Sequence, residues 1–354
     1  MNAKIPVAVL AATGSVGQRF VQLLDGHPWF EVVALTGSDR SIGQTYRTAC
    51  HWILSDSMPA WAAEMTLVPS EPGPVMNGAR LVFSALPSDI ALRVELGYAR
   101  AGVTVCSNAS AYRCETDVPV LLPEVNPEQA SIVPIQRRLR GWSGAIVCNP
   151  NCTATGLTVA LKALQDAFGL SRAFVVSLQA ISGAGYPGVA SMDIIDNVIP
   201  YIGSDEEGKV ESEPQKMLGR VVGDAILPAD FLISAHTNRV AVSDGHMVCL
   251  SVELKQKPSL EEVTHALSAY QAPEVSRDLP WAPHPPILLR SEPDRPQPRL
   301  DRWAGKGMTT VVGRLRPDPL FHYKMVILSH NTVRGAAGGS LYNGELLAAM
   351  DLVK

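Results

Sequence analysis

One cysteine of this chain stands where a sulfur can do chemistry. Cys152 lies in Asn149-Pro150-Asn151-Cys152-Thr153, directly before a segment with helical apolar spacing that starts near Ala154. A sulfur at a helix N-terminus meets free backbone N–H groups and the positive end of the helix dipole, so its pKa is expected to fall and its thiolate fraction to rise. A thiolate that adds to a carbonyl needs a partner to shuttle the proton of the carbonyl oxygen. Of the eight histidines, His246 in Ser243-Asp244-Gly245-His246 is the best candidate, because a strand begins just after it. The competing reading of Cys152 is a buried structural thiol, since sequence spacing does not establish contact between the pair. The cysteines at 50, 106, 114, 148 and 249 lie in or beside apolar or mixed segments. With no CxxC pair and no scaffold-like spacing, they read as free thiols filling core space. No metal-ligand cluster is visible in the sequence, and none is expected.

A second signal is the turn Ala11-Ala12-Thr13-Gly14-Ser15-Val16-Gly17, a variant of the glycine-rich phosphate-binding loop with alanine at its first glycine position. Gly14 would let backbone amides approach a pyrophosphate at a helix N-terminus, with Thr13, Ser15 and Val16 around it, and Gly17 would permit close helix-to-strand contact. A plain tight turn is the competing reading. The region about 20 residues on, where a ribose-binding acid is expected, reads LTGSDRS. Arg40 with the hydroxyls of Ser38 and Ser41 suits a 2'-phosphate and favours NADP, while Asp39 argues for NAD; NADP is the expected cofactor.

These groups need elements to hold them. IPVAVLAA (5–12) is a continuous apolar run followed by the glycine turn and by helical spacing at Phe20, Val21, Leu23 and Leu24. EVVALTGS (31–38), ARLVFSALP (79–87) and GVTVCSN (102–108) follow as strands, with a helical SDIALRVELGYARAG between the last two. Strands apolar on both faces alternating with helices indicate a parallel sheet covered by helices, an α/β Rossmann-like nucleotide-binding domain. After a short strand ending at Cys148 the chain makes a polar turn and a long helix. Longer segments at 173–182, 246–254, 308–316 and 321–329 then suit an α+β domain with a mixed sheet. We therefore expect a nucleotide-binding domain over 1–148, completed by a C-terminal helix over 335–354, and a catalytic and dimerisation domain over 149–334. Residues 273–298 carry eight prolines. They read as an irregular excursion, suited to a subunit contact.

Composition narrows the partners. The 354 residues carry 30 basic and 34 acidic side chains, a net charge of -4, without the broad basic field that a nucleic-acid backbone calls for. Charged residues make up 18% and apolar residues 46%, which excludes disorder and fibrous structure. The longest apolar runs fall far short of the ~20 residues that cross a bilayer, and the N-terminus enters a strand directly, so a cytoplasmic location is expected.

Eight segments in order, SNASAYR, CNPNCTATG, LQAISGAGYPG, NVIPYI, DEEGKVESEPQKMLG, NRVAVSDGH, RPQPRLDR and HNTVRGAAGG, carry a resemblance that runs nearly end to end. Together they resemble the aspartate-semialdehyde dehydrogenases, most closely the archaeal and fungal branch. The resemblance implies a homodimer or homotetramer that works in amino-acid biosynthesis, toward lysine, threonine and methionine. It makes Cys152 the nucleophile, His246 the acid/base and Gln179 the residue that orients the acyl intermediate. Arg239 would clamp the substrate α-carboxylate and Glu206 the α-ammonium, with Asn151 beside them, while Arg113 and Lys209 would hold inorganic phosphate or the acyl phosphate. Ser84, Gly183 and Asn331 would complete the cofactor contacts. The implied reaction is reversible, NADP-dependent reductive dephosphorylation of L-aspartyl-4-phosphate to L-aspartate-4-semialdehyde through a thioester on cysteine. Alternatives are a malonyl-CoA reductase-like thioester reductase, a more distant N-acetyl-glutamyl-phosphate reductase, and a silent dinucleotide-binding protein. Without the resemblance, Glu206 and Lys209 in SDEEGK read as a solvated loop and Arg113 as a surface ion-pair residue.

Overall fold

A computed structural model describes residues 3–73, 78–203 and 205–353. Strands β1 (Ile5–Leu10), β2 (Phe30–Leu35), β3 (Leu81–Ser84), β4 (Thr104–Ser107) and β5 (Ala145–Cys148) form one parallel sheet in the order β2-β1-β3-β4-β5. β3, β4 and β5 are buried along their whole length, as helices on both faces require. The register pairs Leu10 with Ser84, Ser84 with Ser107 and Ser107 with Cys148, so four carboxyl ends are flush. Everything that follows these strands leaves from one edge of the sheet, and between β1 and β3 the strand order reverses. That crevice is where open α/β sheets bind ligands. Three strands are shorter than their apolar runs suggest, because residues 11–12, 36–38 and 85–87 already belong to the loops of that edge.

Beyond helix Cys152–Phe168, the chain forms β6 (Leu170–Gln179), a small hairpin of β7 (Arg220–Val222) and β8 (Ala225–Leu227), then β9 (Leu232–Arg239), β10 (His246–Leu254), β11 (Ile287–Leu289), β12 (Thr310–Pro317) and β13 (Tyr323–Ser329). Six of these make a mixed sheet in the order β11-β12-β13-β10-β6-β9. Its alternation is plain across the register. Ala235, Val175, Leu250 and Met325 form one row, all buried, and the next row, His236, Val176, Cys249 and Val326, faces the opposite way and is open or half-open. The proline-rich stretch is mostly irregular but contributes β11, which pairs in parallel with β12.

The chain finally returns to the first sheet. A π-helical turn, Val333–Ala337, runs into helix Gly338–Ala349, whose residues are buried through Leu347. Gly344 lies so close to β3 that a Cβ there would come within 2.9 Å of the Phe83 ring. All six cysteines are free thiols. Cys114 and Cys249 depart from the core-filler expectation: Cys114 is exposed in a turn, and Cys249 is exposed on the open face of the mixed sheet. Among the described residues no helix is long and apolar enough to cross a membrane.

Candidate active site

The flush edge of the parallel sheet and one end of the mixed sheet enclose a cavity of about 1030 Å³. Its nucleotide half is built by loops. Thr13–Gly17 and Ala85–Ser88 flank the crevice between β1 and β3. Helix Ser15–Leu23 begins at Gly14 with no side-chain cap, so its first amides open onto the cavity. A Cβ on Gly17 would lie 2.2 Å from the Ala11 carbonyl oxygen, which explains why only glycine fits. Ala11 itself has φ +55, the left-handed conformation that a glycine at this position adopts freely. Gln18 holds the turn in place by donating to the carbonyls of Thr13 and His51, both at 2.9 Å. This uncapped cradle fits a dinucleotide phosphate.

Gly183 and Asn331 line the same cavity, whereas four other predicted cofactor residues do not. Ser84 is buried beside Glu95, and the lining there begins at Ala85. Ser38, Arg40 and Ser41 lie beyond the cavity, past the carboxyl end of β2 and next to β1. Ser38 and Arg40 are exposed; Ser41 is turned inward and donates to the Ser38 carbonyl at 2.9 Å.

The covalent half is built by strand ends and one helix start. Cys152 is the first residue of helix Cys152–Phe168, and the Asn151 side chain caps that helix, accepting from the amides of Thr153 and Ala154 at 2.8 and 3.1 Å. Gln179 ends β6, Arg239 ends β9 directly opposite it in register, and His246 opens β10. These three strands therefore deliver an amide, a guanidinium and an imidazole to one place. His246 Nε2 lies 3.2 Å from Cys152 Sγ. Its Nδ1 accepts the Ala180 backbone N–H at 3.0 Å, which assigns the ring proton to Nε2 and aims it at the sulfur. Burial pushes the His246 imidazole down to about 3, with Arg239 and His330 adding to the effect.

The thiol departs from its expected acidity. Desolvation pushes Cys152 up to about 12 and Glu206 adds to the shift, against the opposing pull of Arg113, Arg239 and the residue's own amide. The helix terminus is present, but its caps are already used by Asn151 and a carboxylate stands nearby.

Glu206 Oε1 accepts from Gln179 Nε2 at 3.0 Å and from Asn151 Nδ2 at 2.8 Å. Residues 205–209 are thus no solvated loop: Glu206 and Lys209 occupy the first turn of helix Glu206–Met217 and both line the cavity. Arg239 donates from Nη1 to the Ala180 carbonyl at 2.7 Å, and a Cβ on Gly183 would come within 2.8 Å of that nitrogen. Arg113, buried rather than superficial, donates to the Asn108 carbonyl at 2.7 Å and to Glu213 at 2.9 Å. Its Nε has no partner among the described residues. Gln18, Asn108 and Tyr186 are among the lining residues that the sequence reading did not single out. Each lies inside or directly beside a segment singled out there, but nothing in residue type distinguishes it from its neighbours.

Comparison with known proteins places this build in a class. Residues 6–132 match the family described as semialdehyde dehydrogenase, NAD binding domain, and residues 161–334 match semialdehyde dehydrogenase, dimerisation domain. The aspartate-semialdehyde dehydrogenase of Archaeoglobus fulgidus is 50% identical over 341 residues, 96% of this chain and 97% of its own. That of Saccharomyces cerevisiae is 42% identical and covers 100% of both chains. The crystal structure of aspartate semialdehyde dehydrogenase with NADP from Candida albicans matches with a TM-score of 0.91 at 39% identity, over 99% of this chain and 100% of that one. The chain belongs to the aspartate-semialdehyde dehydrogenase family.

Proposed function

We propose that this protein is an NADP-dependent aspartate-semialdehyde dehydrogenase, interconverting L-aspartyl-4-phosphate and L-aspartate-4-semialdehyde with phosphate. The observation that carries the reading is the 3.2 Å approach of His246 Nε2 to Cys152 Sγ inside a cavity that also opens onto the glycine turn. A silent dinucleotide-binding protein has no use for that pair. The match to a relative solved with NADP supports the cofactor, for which Thr13–Val16, Gly183 and Asn331 form the walls, with Arg40 and Ser38 beyond them for a 2'-phosphate.

In the oxidative direction the Cys152 thiolate adds to the aldehyde carbon, and the carbonyl oxygen becomes an alkoxide. His246, with Nε2–H already turned toward Sγ, donates a hydrogen bond to that oxygen and stabilises its charge. Bound along the glycine turn, NADP would supply the acceptor for the hydride on that carbon. The thioester that remains on Cys152 is attacked by a phosphate oxygen; the C–S bond breaks, sulfur leaves as thiolate, and the proton lost comes from phosphate. Arg239 holds the α-carboxylate, Glu206 the α-ammonium, and Arg113 with Lys209 the phosphate, while Gln179 and Asn151 fix Glu206. The division of labour fits a chain split near residue 148, with the returning C-terminal helix completing the nucleotide half. The open face of the mixed sheet, within the stretch matched to a dimerisation domain, serves a homo-oligomer.

An absorbance assay at the NADPH band tests the reading. Wild type should turn over aspartate semialdehyde with phosphate and leave malonyl-CoA untouched; Cys152→Ser should bind NADP without turnover, since a hydroxyl forms neither the anion nor the thioester. A preference for malonyl-CoA, or Cys152→Ser activity within about tenfold of wild type, a factor worth ~1.4 kcal/mol, would refute it.

A further inference from the structure

Helix Glu206–Met217 reaches the site twice. Its first turn supplies Glu206 and Lys209; Glu213, on the same helix and buried, reaches it from behind. Glu213 Oε1 accepts from Arg113 Nη1 at 2.9 Å, and Oε2 accepts the backbone N–H of Asn151 at 2.5 Å. Both partners line the cavity, whereas Glu213 does not. One partner is assigned to the substrate's anionic end; the other caps the Cys152 helix and immediately precedes the nucleophile.

We propose that Glu213 is a positioning residue, whose carboxylate fixes the spacing between the Arg113 guanidinium and the Asn151–Cys152 turn and whose charge offsets that of Arg113 as felt by the sulfur. Only a carboxylate can do both. It presents two acceptors to two buried donors, whereas glutamine has one acceptor and would set its own N–H groups against the other donor. The charged and titratable groups that face Cys152 are Glu206 from this helix, Arg113 from the turn after β4, Arg239 from β9 and His246 from β10. Arg113 and Arg239 favour the thiolate. Removing the negative charge of Glu213 leaves Arg113 less compensated, so the thiol should become more acidic even as the phosphate subsite loosens. A residue that merely packs the helix would move neither quantity in that pattern.

The phosphate half of this inference rests on the proposed function; the thiol half does not. The test compares wild type, Glu213→Gln and Glu213→Asp as full chains. Iodoacetamide alkylation of Cys152 against pH, without substrate or cofactor and read by peptide mass, should show the Gln variant's midpoint lowered by about half a unit to one unit, or roughly three- to tenfold faster labelling at pH 8. The Asp variant keeps the charge and should titrate as wild type, but it is one methylene too short to span both donors. Both variants should raise the Michaelis constant for phosphate at least tenfold, with NADP affinity unchanged. An unmoved alkylation midpoint in Glu213→Gln overturns the charge role, and an unmoved phosphate constant in both variants overturns the positioning role. If wild type ignores phosphate while the midpoint still shifts, the functional reading fails and the charge role stands.

Discussion

His246 faces Cys152 with the nitrogen that carries its proton, and the pH dependence of the reaction follows. The imidazole is held down at about 3 by burial, Arg239 and His330, so it stays neutral from acid to alkaline pH; the thiol, held up at about 12, is the group that titrates. The reactive form of the thiol is the thiolate, so kcat/KM for aldehyde oxidation should climb about tenfold per pH unit between pH 6 and 9. Its profile should show no inflection near 6.5, and a limb there would contradict the lowered imidazole pKa. Arg239 is the second residue to probe. One of its nitrogens is committed to the Ala180 carbonyl, leaving the rest of the fork for a carboxylate, and a lysine cannot serve both. Arg239→Lys should lower kcat/KM for aspartate semialdehyde roughly 10- to 150-fold, the equivalent of one charge-assisted hydrogen bond at about 1.5 to 3 kcal/mol, while steady-state kinetics show phosphate affinity little altered. Cys152 and His246 are legible in the sequence because each stands at the end of a readable element, whereas Arg239 enters only through the family resemblance. The tautomer and the raised thiol pKa are not legible, since the first depends on Ala180 and the second on burial and on Glu206, all arriving through space.

At the scale of elements, two turns carry strain or charge that a substitution can expose. Ala11 holds φ +55 in the glycine turn, a conformation that costs an alanine about 1 to 2 kcal/mol. Ala11→Gly should therefore raise stability by up to about 1 kcal/mol once the greater freedom of the unfolded chain is subtracted, visible as a higher Tm with NADP affinity changed by less than tenfold. The π-turn Val333–Ala337 presses on the nucleophile: a Cβ on Gly335 would come within 2.8 Å of the Cys152 Cβ. It is anchored by a buried bidentate pair, Arg334 Nε and Nη2 on Glu124, at 2.5 to 2.9 Å. Glu124→Gln leaves that guanidinium uncompensated and should cost about 3 to 5 kcal/mol in denaturant titration, whereas removing both charges as Arg334→Met with Glu124→Leu should recover most of it. Most strands and helices are legible because their apolar periodicity is strong. β9 is not: LISAHTNR puts Leu232, Ser234, His236 and Asn238 on an open face and hides only half its length, so its alternation carries little apolar contrast.

For the whole molecule, the mixed sheet leaves a row of His236, Val176, Cys249 and Val326 uncovered, with Phe174 edge-on to His236 at 5.7 Å between ring centres. If this face joins copies of the chain, Val176→Asp should yield a monomer by sedimentation; an unchanged mass would place the contact elsewhere. Two sheets are legible from the change of pattern after Cys148, but their meeting line is not. The cavity depends on four flush strand ends and on a π-turn supplied some 185 residues after β5, and register and chain return leave no local trace in a sequence. That return governs how the protein comes into being. The parallel sheet is complete when Cys148 has been synthesised, yet one of the helices that covers it, with Leu341, Tyr342, Leu346 and Leu347 against Phe83 and its neighbours, leaves the ribosome only some 190 residues later. While the intervening chain is translated, at about 5 to 20 residues per second, the nascent sheet waits roughly ten to forty seconds with an apolar flank open to chaperones.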